Sequence, residues 1–157
     1  MKILIVYDSL YGNTEKIGFA IRDGFKDPET KCVKSTGASA EDVNQADLLI
    51  IGSPTYGGRP SEPIKNIFKM ISGMDLKNKY AAAFDTGMLQ EGRGGIVKGI
   101  IKFFGYASPR IADELNHYGM NVIGAETFFV LGKEGPLKEG ELERAKNWAK
   151  TLQKQIK

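Results

Sequence analysis

The feature that most constrains this chain is an alternation of short, continuous apolar runs with longer segments of helical period. Lys2–Asp8, Asp47–Gly52, Tyr80–Asp85 and Val122–Leu131 read as buried strands. Lys31–Thr36, with Lys31 and Lys34, reads as a charged strand at a sheet edge. Between them, Asn13–Lys26 carries Ile17, Ile21 and Phe25 on one helical face. Ser61–Ser72 places Ile64, Ile67, Phe68 and Ile71 at i, i+3, i+4, i+7, behind Ser61 as a candidate cap. The pair Ser108-Pro109 opens a further helix through Ile111, Ala112 and Leu115 to Gly119, and Leu142, Ala145, Ala149 and Leu152 mark a last amphipathic one. Strand and helix in alternation require right-handed crossovers, so the pattern predicts a doubly wound α/β fold with a five-stranded parallel sheet and helices on both faces. Ligands on such sheets bind beyond the carboxyl ends of the strands. The loops after strands one, three and four are therefore where function is expected.

The 157 residues fit one domain, spanning 1–157. A single cysteine, Cys32, allows no internal disulfide, and with a single histidine, His117, it makes a metal centre or a Cys-His or Ser-His nucleophile a poor reading. Cys32 lies in a predicted strand and reads as a small hydrophobe; His117 lies near a helix end and reads as a solvated cap. A net charge of +3 without a basic block gives nucleic acid no electrostatic footprint. The first apolar run, Ile3–Tyr7, is too short for a signal peptide or a membrane span, so no membrane span and a cytoplasmic location are expected.

Strand one runs into Ser9-Leu10-Tyr11-Gly12-Asn13-Thr14 and directly into a helix. The free N–H groups and dipole of a helix start make an anion site, Gly12 permits close backbone approach, and the Ser9, Asn13 and Thr14 side chains can donate to phosphate oxygens. No lysine or arginine lies in the loop, which suits a phosphomonoester held by neutral donors. A nucleoside triphosphate loop would need Gly-Lys-Ser/Thr, and a dinucleotide fingerprint would need Gly-x-Gly-x-x-Gly at this place; neither is there. The competing reading is a polar N-cap with a turn glycine.

Ile5 to Thr14, continuing to Ile21, resembles the phosphate loop of the flavodoxin family, with Gly18 where the family usually has alanine and Tyr11 where a small hydroxyl residue is common. The resemblance extends through the strand and helix order of essentially the whole chain. It implies a sheet in the order 2-1-3-4-5 with the phosphate of FMN on the loop Ser9, Leu10, Tyr11, Gly12, Asn13 and Thr14. After strand three, Pro54-Thr55-Tyr56-Gly57-Gly58 offers an aromatic between a rigid proline and two glycines, a flat wall against which Tyr56 would stack the isoalloxazine ring. The family resemblance further implies that the Gly57-Gly58 peptide turns over toward the reduced ring. After strand four it implies backbone contacts from Asp85, Thr86 and Gly87 to the pyrimidine edge. Met88 and Leu89 stand where the family usually has a second aromatic.

The function implied by this resemblance is that of an FMN electron carrier cycling through semiquinone and hydroquinone between redox partner proteins. The alternative is an FMN-dependent NAD(P)H:quinone or flavin reductase, which also needs room for NAD(P)H and a quinone above the ring. A receiver-type phosphoacceptor would suit Asp8, Thr86 and Lys133, but its acceptor aspartate would have to stand at Ser53. The residues near 88–107 exceed what the crossover requires. Glu91–Gly95 reads as a hinge, and Ile96, Val97, Ile100, Ile101 and Phe104 form an apolar stripe, expected to cover the flavin edge or, through residues 92–106, to join subunits of a homo-oligomer.

Overall fold

The computed structural model describes residues 1–89 and 105–156. The predicted excursion, including the 92–106 interface and the Ile96–Phe104 stripe, falls almost wholly on residues 90–104 and so lies outside the described residues.

Five strands, β1 (Ile3–Tyr7), β2 (Thr30–Lys34), β3 (Leu48–Pro54), β4 (Tyr80–Met88) and β5 (Asn121–Val130), form one parallel sheet in the order β2-β1-β3-β4-β5. That is the expected order. Interior strands are covered on both faces, which is why their sequences are continuous apolar runs rather than alternating ones. Leu4, Val6, Leu49, Ile51, Ala81 and Ala83 face one core layer, under α3 (Glu62–Ile71) and α4 (Ala107–His117). Ile3, Ile5, Tyr7, Leu48, Ile50, Ala82 and Phe84 face the other, under α1 (Asn13–Phe25) and α5 (Glu141–Gln155).

Most boundaries shift by a residue or two from the sequence reading, β2 to Thr30–Lys34 and β5 to Asn121–Val130 among them, and three of the shifts bear on the site. β3 and β4 run on to Pro54 and Met88, because each continues its ladder, pairing Pro54 with Thr86 and Met88 with Val130. α4 starts at Ala107, one residue before the predicted cap, with Tyr106 as its N-cap. A short helix α2 (Ala40–Gln45) was not assigned from sequence, although its signal is present: Ser39 and Asp42 form a reciprocal capping box, the Asp42 N–H donating to Ser39 Oγ at 3.1 Å and the Ser39 N–H to Asp42 Oδ2 at 3.1 Å. Cys32 is half-buried, and burial pushes its thiol up to about 12, which leaves it protonated and inert at neutral pH. Among the described residues no helix is long and apolar enough to cross a membrane.

α1 and α5 touch at Gly24. A Cβ there would stand 2.4 Å from the Lys146 carbonyl oxygen and 2.8 Å from the Ala149 Cβ. Replacing a helical glycine by alanine ordinarily gains up to about 1 kcal/mol. Here the obstacle is backbone, which no side-chain rotation relieves, and overpacking costs about 1–3 kcal/mol. Gly24→Ala is therefore expected to lower stability by about 1–2 kcal/mol in urea unfolding; a stabilised variant would show that the two helices are free to separate.

Candidate functional site

Two loops and the end of β4 meet in a cleft of about 270 Å3 at the carboxyl end of the sheet. In the first, β1 ends at Tyr7 and the Asp8 N–H donates to the Gly52 carbonyl at 3.1 Å. The chain then turns back, the Gly12 N–H donating to Ser9 Oγ at 3.1 Å. Gly12 takes φ 89° as the N-cap of α1, a conformation that favours glycine, and no side chain caps the helix. The opening turn of α1 is thus left with amide N–H groups that lack intrahelical partners, at the positive end of the helix dipole. Thr14 is buried, and its Oγ1 lies 2.7 Å from Thr86 Oγ1. Asn13 Nδ2 donates to the Glu134 carbonyl at 3.1 Å, which ties the loop after β5 to the same place.

The second loop is held at both ends. The Thr55 N–H donates to the Thr86 carbonyl at 3.0 Å, and Tyr56 and Arg59 exchange two backbone hydrogen bonds of 2.9 and 3.0 Å. Between them Gly57 and Gly58 have φ 55° and 77°, the two positive values that a type I′ turn requires. This short turn carries Tyr56, which is 46% exposed. Partial burial, then the charge of Asp8, holds the Tyr56 hydroxyl above the usual tyrosine range. Ser53 is wholly buried and works structurally, accepting the Ser61 N–H at 2.9 Å and donating to the Pro54 carbonyl at 2.7 Å.

At the end of β4, Thr86, Gly87 and Met88 line the cleft. Gly87 is required by close approach, since a Cβ would meet the Tyr106 ring at 2.5 Å, and Tyr106 Oη donates to the Met88 carbonyl at 3.0 Å. Ser9, Leu10, Tyr11, Asn13, Thr14, Pro54, Thr55, Tyr56, Gly57, Thr86 and Gly87 all line this one cleft. Gly12 and Gly58 do not line it; they take positive φ in the two loops that do. Met88, Val130 and Lys133 line it as well. Val130 had no sequence signal of its own, being one more apolar residue of a strand.

Asp85 is the outlier. Its side chain turns from the cleft into the protein, where it is wholly buried and accepts from Thr55 Oγ1, from Thr127 Oγ1 at 2.7 Å and from the Ala107 N–H at 3.3 Å. One carboxyl group so fastens the Tyr56 loop, β5 and the start of α4 to β4. Burial raises its pKa above the usual carboxylate range, against the pull of these donors. A raised pKa in the folded state means that the folded protein binds the proton more tightly, so the stability contributed is full below the unfolded value and falls as pH rises through the folded one. Relative to Asp85→Asn, the wild type is expected to lose stability as pH increases above the ordinary aspartate range; parallel pH profiles of the two proteins would contradict this.

The arrangement can hold an anion at the start of α1 and a flat aromatic ring against Tyr56, two binding elements set side by side on rigid strand ends. Comparisons with known proteins point to one family. A family model described as Flavodoxin matches residues 5–148. A flavodoxin of Aquifex aeolicus is 33% identical over 91 residues, 54% of this chain and 49% of that protein, and one of Clostridium saccharobutylicum is 34% identical over 89 residues, 55% and 56% respectively. The chain thus spans about half the length of the curated relatives it matches. The solved structure of a flavodoxin from the domain Archaea superposes with a TM-score of 0.78 at 19% identity, over 99% of this chain and 98% of that one, which speaks to the fold. With the family model matched over most of its length, the chain belongs to the flavodoxin family.

Proposed function

We propose that this chain is a cytoplasmic electron carrier that binds one FMN in the cleft and passes electrons between redox partner proteins. The observation that carries the reading is the joining, in one cleft, of an uncapped helix start with an aromatic on a short, doubly hydrogen-bonded turn. The donor set fits a phosphomonoester. Thr14 and Thr86 have two hydroxyl protons, and the 2.7 Å contact between them needs only one, so the other is free for an outside acceptor. Ser9 Oγ accepts from Gly12 and keeps its own proton, and Asn13 keeps one amide N–H beyond the bond to Glu134. Neutral donors at a helix start suit a dianion without adding charge that would need its own counter-ion.

FMN, when bound, supplies one- and two-electron chemistry. The protein's work is to bind and orient it: the first loop would take the phosphate, Tyr56 one ring face, and the backbone at Thr86 and Gly87 the ring edge. Purified protein should carry one FMN per chain and show negligible NAD(P)H oxidation with a quinone acceptor. Sustained turnover with NAD(P)H and quinone would assign it to the reductases instead, and a chain that takes up no flavin would overturn both.

A further inference from the structure

A groove of about 420 Å3 lies between α3 and α4, lined by Arg59, Lys65, Lys69 and Arg110 around a floor of Phe68 and Tyr118. The two rings are stacked with centroids 6.3 Å apart and an interplanar angle of 20°. Among the described residues Glu114 is the only acid in the lining. Lys65 is paired with Glu62 at 2.7 Å, whereas among the described residues Arg59, Lys69 and Arg110 form no ion pair. Lys69 closes α3, where the helix dipole favours a cation, and it feels the charge of Glu62, but Arg110 has no such local reason. Arg110 sits in the opening turn of α4, where the helix dipole disfavours a cation and where no acidic residue stands. Lys65 and Lys69 are like charges four residues apart on one helix.

We propose that this groove is the docking surface for an acidic electron-transfer protein, a partner that delivers electrons to, or takes them from, the FMN of the reading above. Charge complementarity selects the occupant. Three cations that form no ion pair among the described residues, set around two stacked rings, match a carboxylate-rich surface, and they would speed its encounter at low salt. A small phosphate ligand fits less well, because every polar side chain lining the groove is exposed or half-exposed rather than buried and aimed inward. Position agrees too. Arg59 exchanges its two backbone hydrogen bonds with Tyr56, so the groove begins at the turn that carries the proposed ring wall.

The test is calorimetric binding of an acidic [2Fe–2S] ferredoxin to the purified full chain at an ionic strength of about 20 mM, where screening is weak. Measurable binding is expected, weakened roughly tenfold or more in the double variant Lys69→Glu/Arg110→Glu and again by about 0.3 M salt in the wild type. Lys69→Gln/Arg110→Gln serves if charge reversal disturbs folding, and should weaken binding in the same direction. A basic cytochrome c should respond oppositely to charge reversal. No ferredoxin binding, equal binding by wild type and variants, or tight binding of pyrophosphate that the same variants abolish would each overturn the proposal. Because binding is read without following the flavin, a failure here is distinct from a failure of the FMN reading, which shows as protein that takes up no FMN.

Discussion

FMN is expected to bind this chain roughly a hundredfold or more tightly than riboflavin, since hydrogen bonds to a charged group contribute about 1.5–3 kcal/mol each and the first loop presents several donors to a phosphate that riboflavin lacks. Thr14 separates the contributions. It is 1% exposed at the start of α1, with Oγ1 2.7 Å from Thr86 Oγ1, so its loss removes one hydroxyl from the proposed phosphate site and leaves the Thr86 hydroxyl without this partner. Thr14→Ala should weaken FMN by roughly tenfold to a hundredfold and leave riboflavin within about threefold. Thr14→Ser, which keeps the hydroxyl, should recover most of the loss. The measurement is quenching of flavin fluorescence on titration with flavin-free protein. Equal affinities of the wild type for the two flavins would remove the phosphate from this loop.

The second large effect belongs to Gly52. It pairs with Tyr7 on one side and Phe84 on the other, and the Phe84 ring lies over it, so that a Cβ at Gly52 would stand 2.0 Å from Phe84 Cζ. The ring has nowhere to go. It is wholly buried, it meets Phe128 edge-on with centroids 6.3 Å apart, and a methyl group at Gly18 of α1 would lie 3.7 Å from its Cζ. Alanine in a strand returns at most about 1 kcal/mol of the entropy that glycine gives up, whereas forcing a methyl into this contact costs about 3 kcal/mol or more. Gly52→Ala is thus expected to lose about 2–3 kcal/mol in urea unfolding, with weaker FMN binding, because Gly52 stands in β3 just before Pro54 and Thr55, which line the cleft. Combining it with Phe84→Leu should cost less than the sum of the two single changes, the sign of a shared contact. Additive losses would mean that the ring and Gly52 do not compete for space.

The same contact illustrates where sequence stops being informative. Strands, principal helices and the loops that matter were legible because their signals are local: continuous apolar runs, a 3.6-residue period, a glycine before a helix and a Gly-Gly turn each reflect steric and hydrogen-bonding rules acting over a few residues. Eleven of the fourteen residues singled out from sequence line one cleft. The short helix α2 was missed although its Ser39 and Asp42 capping pair was present, because six residues are too few to display a period.

The sequence by itself determined the fold class, the family and the segments that build the site, since alternation and loop chemistry are written in neighbouring residues. Only the tertiary structure decided which way individual side chains point. Asp85 sits between Phe84 and Thr86, and nothing local distinguishes a carboxylate facing the cleft from one buried beneath it; its orientation is set by Thr55, Thr127 and Ala107, which lie 30, 42 and 22 residues away. The same holds for the cationic groove, because Lys69 and Arg110 become neighbours only when α3 and α4 pack on one face of the sheet. Contacts between residues far apart in the chain depend on the closure of the whole sheet, and no periodicity or motif encodes them.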